Sequence, residues 1–227
     1  MSRRARYASV MLRLVDDLLD LLFPPRCCNC RRHGALLCDR CRAACRLVPA
    51  TVNDAQHRRL ASPFLASTAG AYVFEGAVRE AIHTLKYHRR TRVALPLGEL
   101  LARYLETRPL SIDAIVPVPL HSARERQRGF NQSALLAARL AELTGLPLLC
   151  HELARVRATR QQADLTRAQR RENVRDAFAW QAAVAPPPRI LLIDDVLTTG
   201  ATIESAARSL CLAGAQDVHA LALARRI

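Results

Sequence analysis

Lysine is almost missing from this 227-residue chain: of 34 basic residues, only Lys86 is not arginine. Aromatic side chains make up 4% of the sequence, with a single tryptophan. Sequence-independent binding of single strands usually stacks bases on aromatic rings, so here nucleic-acid binding would be mainly electrostatic and would collapse with added salt. Long apolar runs are missing as well, and a membrane span needs roughly 20 apolar residues. The most apolar N-terminal stretch, Tyr7 to Phe23, is interrupted by Arg13, Asp16, Asp17 and Asp20. It also lacks the unbroken apolar core and small-residue cleavage site of a secretory signal. Its apolar positions Val10, Leu14, Leu18, Leu21 and Leu22 recur at helical spacing, which predicts an amphipathic helix packed on the rest of the protein. No membrane span and a cytoplasmic location are therefore expected. In that reducing compartment the eight cysteines are expected to bind metal rather than form disulfides.

The formal net charge is +14 and the pI near 10.6. Such a balance suits a polyphosphate, a nucleic acid or an anionic surface as partner. Part of the excess reads as a compositional bias towards arginine on a solvated surface. Against that background Lys86 stands out, because a lone lysine where arginine is habitual points to a need for a compact charge.

Half of the residues are hydrophobic, enough for one full-sized core beside a small accessory module. Pro24-Pro25 closes the first helix, a dense cysteine and arginine segment follows from Cys27 to Cys45, and Arg46 to Pro63 reads as a polar loop. The expected division is 1–62, an N-terminal helix with a metal module, and 63–227, the main domain. Within the latter, Ala71 to Phe74 reads as a strand, Gly76 to Tyr87 and Leu95 to Leu105 as helices, and Ile112 to Val118 as a buried strand. A helix over Asn131 to Thr144 follows, then a strand over Leu148 to Val156, a mobile arginine-rich segment with a helix up to Arg175, and an edge pairing at Ala177 to Trp180. The end is clearest: strand Arg189 to Ile193, turn Asp194 to Ala201, helix Thr202 to Ala213 with Gly214 as its stop, and strand Val218 to Ala224. Strands alternating with helices predict an α/β fold with a mostly parallel sheet covered on both faces.

The chemistry concentrates in Ile190-Leu-Leu-Ile-Asp-Asp-Val-Leu-Thr-Thr-Gly-Ala-Thr202, an apolar strand that delivers two carboxylates and then a Thr/Gly loop at a helix start. A helix N-terminus presents unpaired N–H groups and partial positive charge. Thr198, Thr199, Gly200, Ala201 and Thr202 let those groups approach a phosphate closely. Asp194 and Asp195 are placed to accept from vicinal sugar hydroxyls or to hold a divalent cation through water. Together they describe a ribose 5-phosphate site. The competing reading, threonines that only cap the helix, leaves two neighbouring buried acids unexplained, and desolvating like charges is costly. No lysine follows Gly200, so the loop is not a Walker A motif.

A second strand-loop-helix unit runs from Asp113 through Pro117 and Pro119 to His121, Arg124, Arg126, Arg128, Gly129, Phe130, Asn131 and Gln132. Arginines beside a proline-stiffened loop suit a pyrophosphate, with Arg124 and Asn131 as candidate contacts. An exposed basic loop is the bland alternative. Cys27-x-x-Cys30 and Cys38-x-x-Cys41 form two knuckles whose thiolates can converge on one tetrahedral ion, a structural Zn2+. Cys28, Cys45 and His33 remain possible substitute ligands.

The Asp-Asp turn resembles the ribose-phosphate motif of type I phosphoribosyltransferases. The double Cys-x-x-Cys, Leu85-Lys-Tyr87, Val116-Pro-Val-Pro119, Arg128-Gly-Phe-Asn-Gln132, the segment Thr159 to Phe178 with Gln162, Leu165, Arg170 and Asn173, and that turn together are similar to the ComF family, from Cys27 to Arg225. The resemblance implies a type I phosphoribosyltransferase-like fold, with Thr198 to Thr202 on the 5-phosphate, Asp194 and Asp195 on the ribose, and Mg2+ on the pyrophosphate of phosphoribosyl pyrophosphate. It also implies a link to natural competence, with single-stranded DNA and competence-machinery proteins as partners. Two further readings stay open: a working transferase in which Arg128 and Lys86 supply charge at the leaving group, and a sensor of the same ligand without turnover.

Overall fold

The computed structural model describes residues 24–157 and 176–227. The helix expected over Tyr7 to Phe23 and most of the arginine-rich segment, including Gln162, Leu165, Arg170 and Asn173, lie outside the described residues.

Four strands, β1 (Ser67–Val73), β2 (Ala114–Pro117), β5 (Arg189–Leu197) and β6 (Asp217–Arg225), form one sheet in the order β1-β6-β5-β2. Every pairing in it is parallel. The central strand β5 explains the rest. Ile190, Leu191, Leu192 and Ile193 are all 0% exposed, so both faces of this strand are covered, as a continuous apolar run in a parallel sheet demands. Side chains alternate between faces. Leu191 and Ile193 pack with α3 (Gly76–His88), α4 (Ala94–Glu106) and α6 (Gln132–Thr144). Ile190 and Leu192 pack with α7 (Ala201–Leu212) on the other side. This is the α/β architecture with a mostly parallel sheet flanked by helices that the sequence predicts. Among the described residues, no helix is long and apolar enough to cross a membrane.

Three expectations need correction. The polar stretch 46–63 is not a loop throughout, because it contains the helix α2 (Ala50–Leu60), whose buried positions are Asn53, Gln56 and Leu60. Their spacing is helical, but two of the three are polar, so apolar periodicity is silent there. Asn53 gains its place by chemistry instead: its Nδ2 donates to Gly70 O at 3.1 Å and its Oδ1 accepts from Gly70 N at 3.0 Å, satisfying the backbone of the edge strand β1. The strand read over 148–156 is shortened to β3 (Leu153–Arg155). It pairs antiparallel with β4 (Phe178–Trp180) in a separate two-stranded sheet. Finally, the turn expected from Asp194 starts later, since Asp194 and Val196 still ladder with Ala222 and Ala224 of β6.

That last difference makes the site. β2 ends at Pro117, opposite Ile193, so from Asp194 onward β5 is paired on the β6 side only. A crevice opens where the neighbouring strand stops, at the carboxyl edge of the sheet, the usual place for ligands in open α/β folds.

The cysteine segment, with its short helix α1 (Asp39–Ala43), is not separate from this core. Cys27, Cys28, Leu37, Cys38 and Cys41 are buried in the same cluster as Tyr72, Ile82 and Leu97. Arg42 and Arg139 both bind Glu99, at 2.5 and 2.9 Å, which ties the segment to α4 and α6.

Helices α4 and α6 cross at Gly98, where an added Cβ would lie 2.5 Å from Arg139 Cβ. The expected outcome of Gly98→Ala is a loss of about 1–3 kcal/mol, overpacking outweighing the better helix propensity of alanine. A denaturant midpoint at or above the parent's would contradict that close approach.

Candidate functional site

The crevice is a cleft of about 300 Å³ at the end of β5, and Asp194, Asp195, Lys86 and Ser133 line it. Asp195 is 4% exposed, and its Oδ2 lies 2.7 Å from Lys86 Nζ, so the only lysine of the chain neutralises the most buried acid of the site. Asp194 Oδ1 accepts from Ser133 Oγ at 2.9 Å and from the Asp195 backbone N–H at 2.8 Å. Burial, followed by the adjacent Asp195 charge, pushes the Asp194 carboxyl up to about 7. Near neutral pH the two carboxyls therefore carry fewer than two full negative charges until a donor or cation arrives.

Past Leu197 the chain turns into α7. Gly200 is the N-cap with φ +87°, a left-handed backbone that favours glycine, and an added Cβ would lie 2.7 Å from Leu60 Cδ2. Gly200 offers no side-chain cap to α7, and the Ala201 N–H donates to Thr199 Oγ1 at 3.5 Å. Thr198 and Thr202 line the cleft. Thr199, Gly200 and Ala201 form the loop behind them, and Gln56 Nε2 donates to Thr199 O at 3.2 Å. Gln56 is held in turn by Arg225, whose Nη2 donates to its Oε1 at 3.2 Å.

Arg124 also lines the cleft, joined by Arg155, which sequence reasoning missed. Burial, and next the charge of Arg124, pulls the Arg155 guanidinium below its ordinary value. Two guanidiniums and two carboxyls thus share the lining of one cleft, and the Asp194 charge acts on Arg155. Arg128 and Asn131 are not in the cleft wall. Arg128 binds Gln132, which is in it. Asn131 is the N-cap of α6, accepting from Ser133 N at 3.0 Å and donating to Val118 O at 3.0 Å, so it pins the loop after β2 to the helix turn that carries Ser133. Besides Arg155, the wall includes Ser133, Phe74, His83, Tyr87 and Arg226, none singled out by the sequence reading as a site residue. Two of them carried a signal: Tyr87 closes the Leu85-Lys-Tyr87 motif, and Ser133 follows directly after Gln132.

The ligand atoms of Cys27, Cys30, Cys38 and Cys41 all lie within 4.8 Å of one another, with Cys30 and Cys38 Sγ 3.6 Å apart. Sulfurs held at ~2.3 Å by a tetrahedral ion are separated by about 3.8 Å, so the four residues fit a structural metal. Burial raises the Cys27 thiol, but backbone N–H donors of Cys38, Cys30 and Asn29 outweigh it and bring it down to about 6. Burial and the three neighbouring thiols push Cys41 up to about 12, so the group cannot fully ionise without a cation among its sulfurs. The substitutes fall away. Cys28 is a core thiol pushed up to about 12 by burial, Cys45 Sγ donates to Cys41 O at 3.2 Å, and His33 is exposed outside the cluster.

Sheet, Asp-Asp turn and thiol cluster define an α/β protein with a parallel sheet and a four-cysteine module that fits a metal ion. No protein-family model matches the chain. It is 38% identical over 152 residues to DNA utilization protein YhgH of Salmonella typhi, covering 64% of this chain and 66% of that one. To Competence protein F of Haemophilus influenzae it is 36% identical over 115 residues, half of each chain. Among solved structures it is similar to the glutamine phosphoribosylpyrophosphate amidotransferase of B. subtilis, with 25% identity, a TM-score of 0.39, and coverage of 56% of this chain and 25% of that one. These relatives support the ComF family for the chain.

The raised Asp194 carboxyl has a stability consequence. Its native pKa lies above the ordinary 3.8, so ionising it costs the folded state, and the cost grows as pH rises from about 4 to about 7. Asp194→Asn is therefore expected to raise the melting midpoint at pH 8 by a few degrees, at ~2–4 °C per kcal/mol, with the gain vanishing below about pH 4. Thermal melts of both proteins across that range check it, and a gain independent of pH would contradict the assignment.

Proposed function

We propose that the protein binds phosphoribosyl pyrophosphate with Mg2+ in this cleft and acts in the cytoplasm in DNA uptake, handling incoming single-stranded DNA. The observation that carries the ligand reading is that one cleft is lined by a carboxylate pair, by Thr198 and Thr202 at the start of α7, and by two guanidiniums. A ribose flanked by a 5-phosphate and a pyrophosphate has the matching order of groups. Thr198 to Thr202 receive the 5-phosphate on backbone N–H groups and hydroxyls, and Asp194 and Asp195 accept from the ribose hydroxyls. Arrival of those hydroxyls frees Lys86 from Asp195, so that its charge turns to the pyrophosphate beside Arg124 and Arg155. Arg128 acts through Gln132, and Asn131 through the loop it pins. Mg2+, when bound with the ligand, neutralises charge on the pyrophosphate.

The names of the relatives, a DNA utilization protein and a competence protein, support the DNA half of the reading. The aligned segment spans just under two thirds of the first of these relatives and half of the second. In this reading residues 63–227 hold the ligand. Residues 1–62 supply the metal module and, through Gln56 and Leu60, the back wall of the phosphate loop.

Calorimetric titration of magnesium phosphoribosyl pyrophosphate into the intact protein is expected to show one saturable site. Asp194→Asn/Asp195→Asn should weaken it by at least about 10-fold, the loss of ~1.4 kcal/mol or more of hydrogen bonding to charged groups. No heat from the parent protein, or equal affinity in the variant, would overturn the reading.

Zn2+ is the ion proposed for the thiol cluster. Elemental analysis of protein purified without chelator should find one zinc per chain. Cys30→Ser, at the exposed ligand, should lose it and lower the melting midpoint by about 10 °C, because structural zinc contributes several kcal/mol of folding energy. A zinc-free parent that melts as a single cooperative unit would contradict it.

A further inference from the structure

Aromatic residues are scarce in this chain, yet two of them meet at one lip of the cleft. His83 and Tyr87, four residues apart on the last turns of α3, stand edge to face with ring centroids 5.6 Å apart. Phe74 lies behind His83 at 6.0 Å, and the Arg226 guanidinium sits 5.2 Å over the Phe74 ring. Tyr87 is 68% exposed, so its ring is offered to solvent at the mouth of the cleft rather than buried. An exposed ring backed by a second ring and a cation is costly surface for a folded monomer and a ready platform for a planar heterocycle.

Two residues beyond Tyr87 the chain enters the wall of a groove of about 820 Å³. Arg26 and Arg31 from the cysteine segment and Arg89 and Arg90 from the end of α3 are among its walls. All four are exposed. Arg89 is the C-cap of α3 in a left-handed backbone, φ +52°, with its Nη2 donating to Gln127 O at 2.8 Å. One helix end thus carries a stacking platform and, two residues on, the start of a run of guanidiniums. Planar base beside anionic phosphate is the repeating chemistry of a polynucleotide, and only an unpaired strand can offer its base faces to a side chain.

We propose that the C-terminal turn of α3 engages single-stranded DNA, with bases stacking on Tyr87 and His83 and phosphates running over Arg26, Arg31, Arg89 and Arg90. The proposal rests on the DNA half of the reading above and gives it a surface. A platform beside the Asp194-Asp195 cleft also brings the strand next to the ligand site, so the two ligands touch neighbouring residues of one helix. The general poverty in aromatics still holds: this is one local platform, and most of the affinity comes from charge.

The test is fluorescence anisotropy of the full-length protein with a labelled oligo(dT) strand of about 20 nucleotides, long enough to cover both features. Tyr87→Ala should weaken binding by about 5-fold or more, the equivalent of one stacked base, and Tyr87→Phe should restore it to within about twofold. Arg31→Gln/Arg90→Gln should lower the slope of log affinity against log salt by ~1.4, two single-strand phosphate contacts, while leaving the calorimetric titration with magnesium phosphoribosyl pyrophosphate unchanged. The proposal is overturned by failure of the parent to bind the strand or by parent-like affinity and slope in the variants. Equal binding of duplex, or equal competition by oligoglutamate of matched charge, also overturns it, since neither offers a base to stack. Loss of the phosphoribosyl pyrophosphate titration in the parent leaves these readouts intact, so failure of the ligand reading and failure of this one are told apart.

Discussion

Two adjacent carboxyls at the end of a buried strand are the constraint around which the rest of the molecule is arranged. A chain gains nothing in stability by desolvating Asp194 next to Asp195, and Asp194 responds by holding its proton to about pH 7. The neighbouring groups make the arrangement tolerable. Lys86 reaches from α3 to neutralise Asp195, Ser133 donates from α6 to Asp194, and β2 ends one residue too soon to cover either. An arginine at position 86 would bring a planar fork to a point where a single compact charge fits, which gives the lone lysine of an arginine-rich chain a physical reason.

The Thr198–Thr202 loop depends on a second buried polar network. Gln56 supports the Thr199 carbonyl, Arg225 supports Gln56 and donates to Val52 O at 2.8 Å, and Asn53 closes the edge of β1. Leu60 occupies the space that any side chain at residue 200 would need. Such groups are satisfied only as a set, so the loop is preorganised by residues far from it in sequence. The cysteine module belongs to the same economy: its thiols share the core with α3 and α4, and Glu99 binds it to α6 through two arginines.

Much of this was legible in the sequence, and for identifiable reasons. The run Ile190 to Ile193 is apolar because both of its faces are covered, and its end in Asp-Asp followed by Thr/Gly marks the place where the cleft opens. The two Cys-x-x-Cys knuckles announce one cluster, whose four sulfurs the fold brings together. What stayed hidden are features that periodicity does not encode. α2 buries amides rather than leucines, so it passed for a loop. Arg155, Tyr87 and Arg226 come from three separate elements and meet only through the topology. Asn131 was assigned to the ligand, where the structure uses its side chain to cap a helix, because a side chain that pins a loop and one that touches a ligand look alike in sequence.

The most direct test of the central claim is a crystal structure of the protein with magnesium phosphoribosyl pyrophosphate. The account predicts a 5-phosphate on the backbone N–H groups of Thr198 to Thr202, ribose hydroxyls at Asp194 and Asp195, and Lys86 drawn away from its 2.7 Å contact with Asp195. A ligand seated elsewhere, or ribose density in the cleft with the Lys86–Asp195 pair intact, would contradict it.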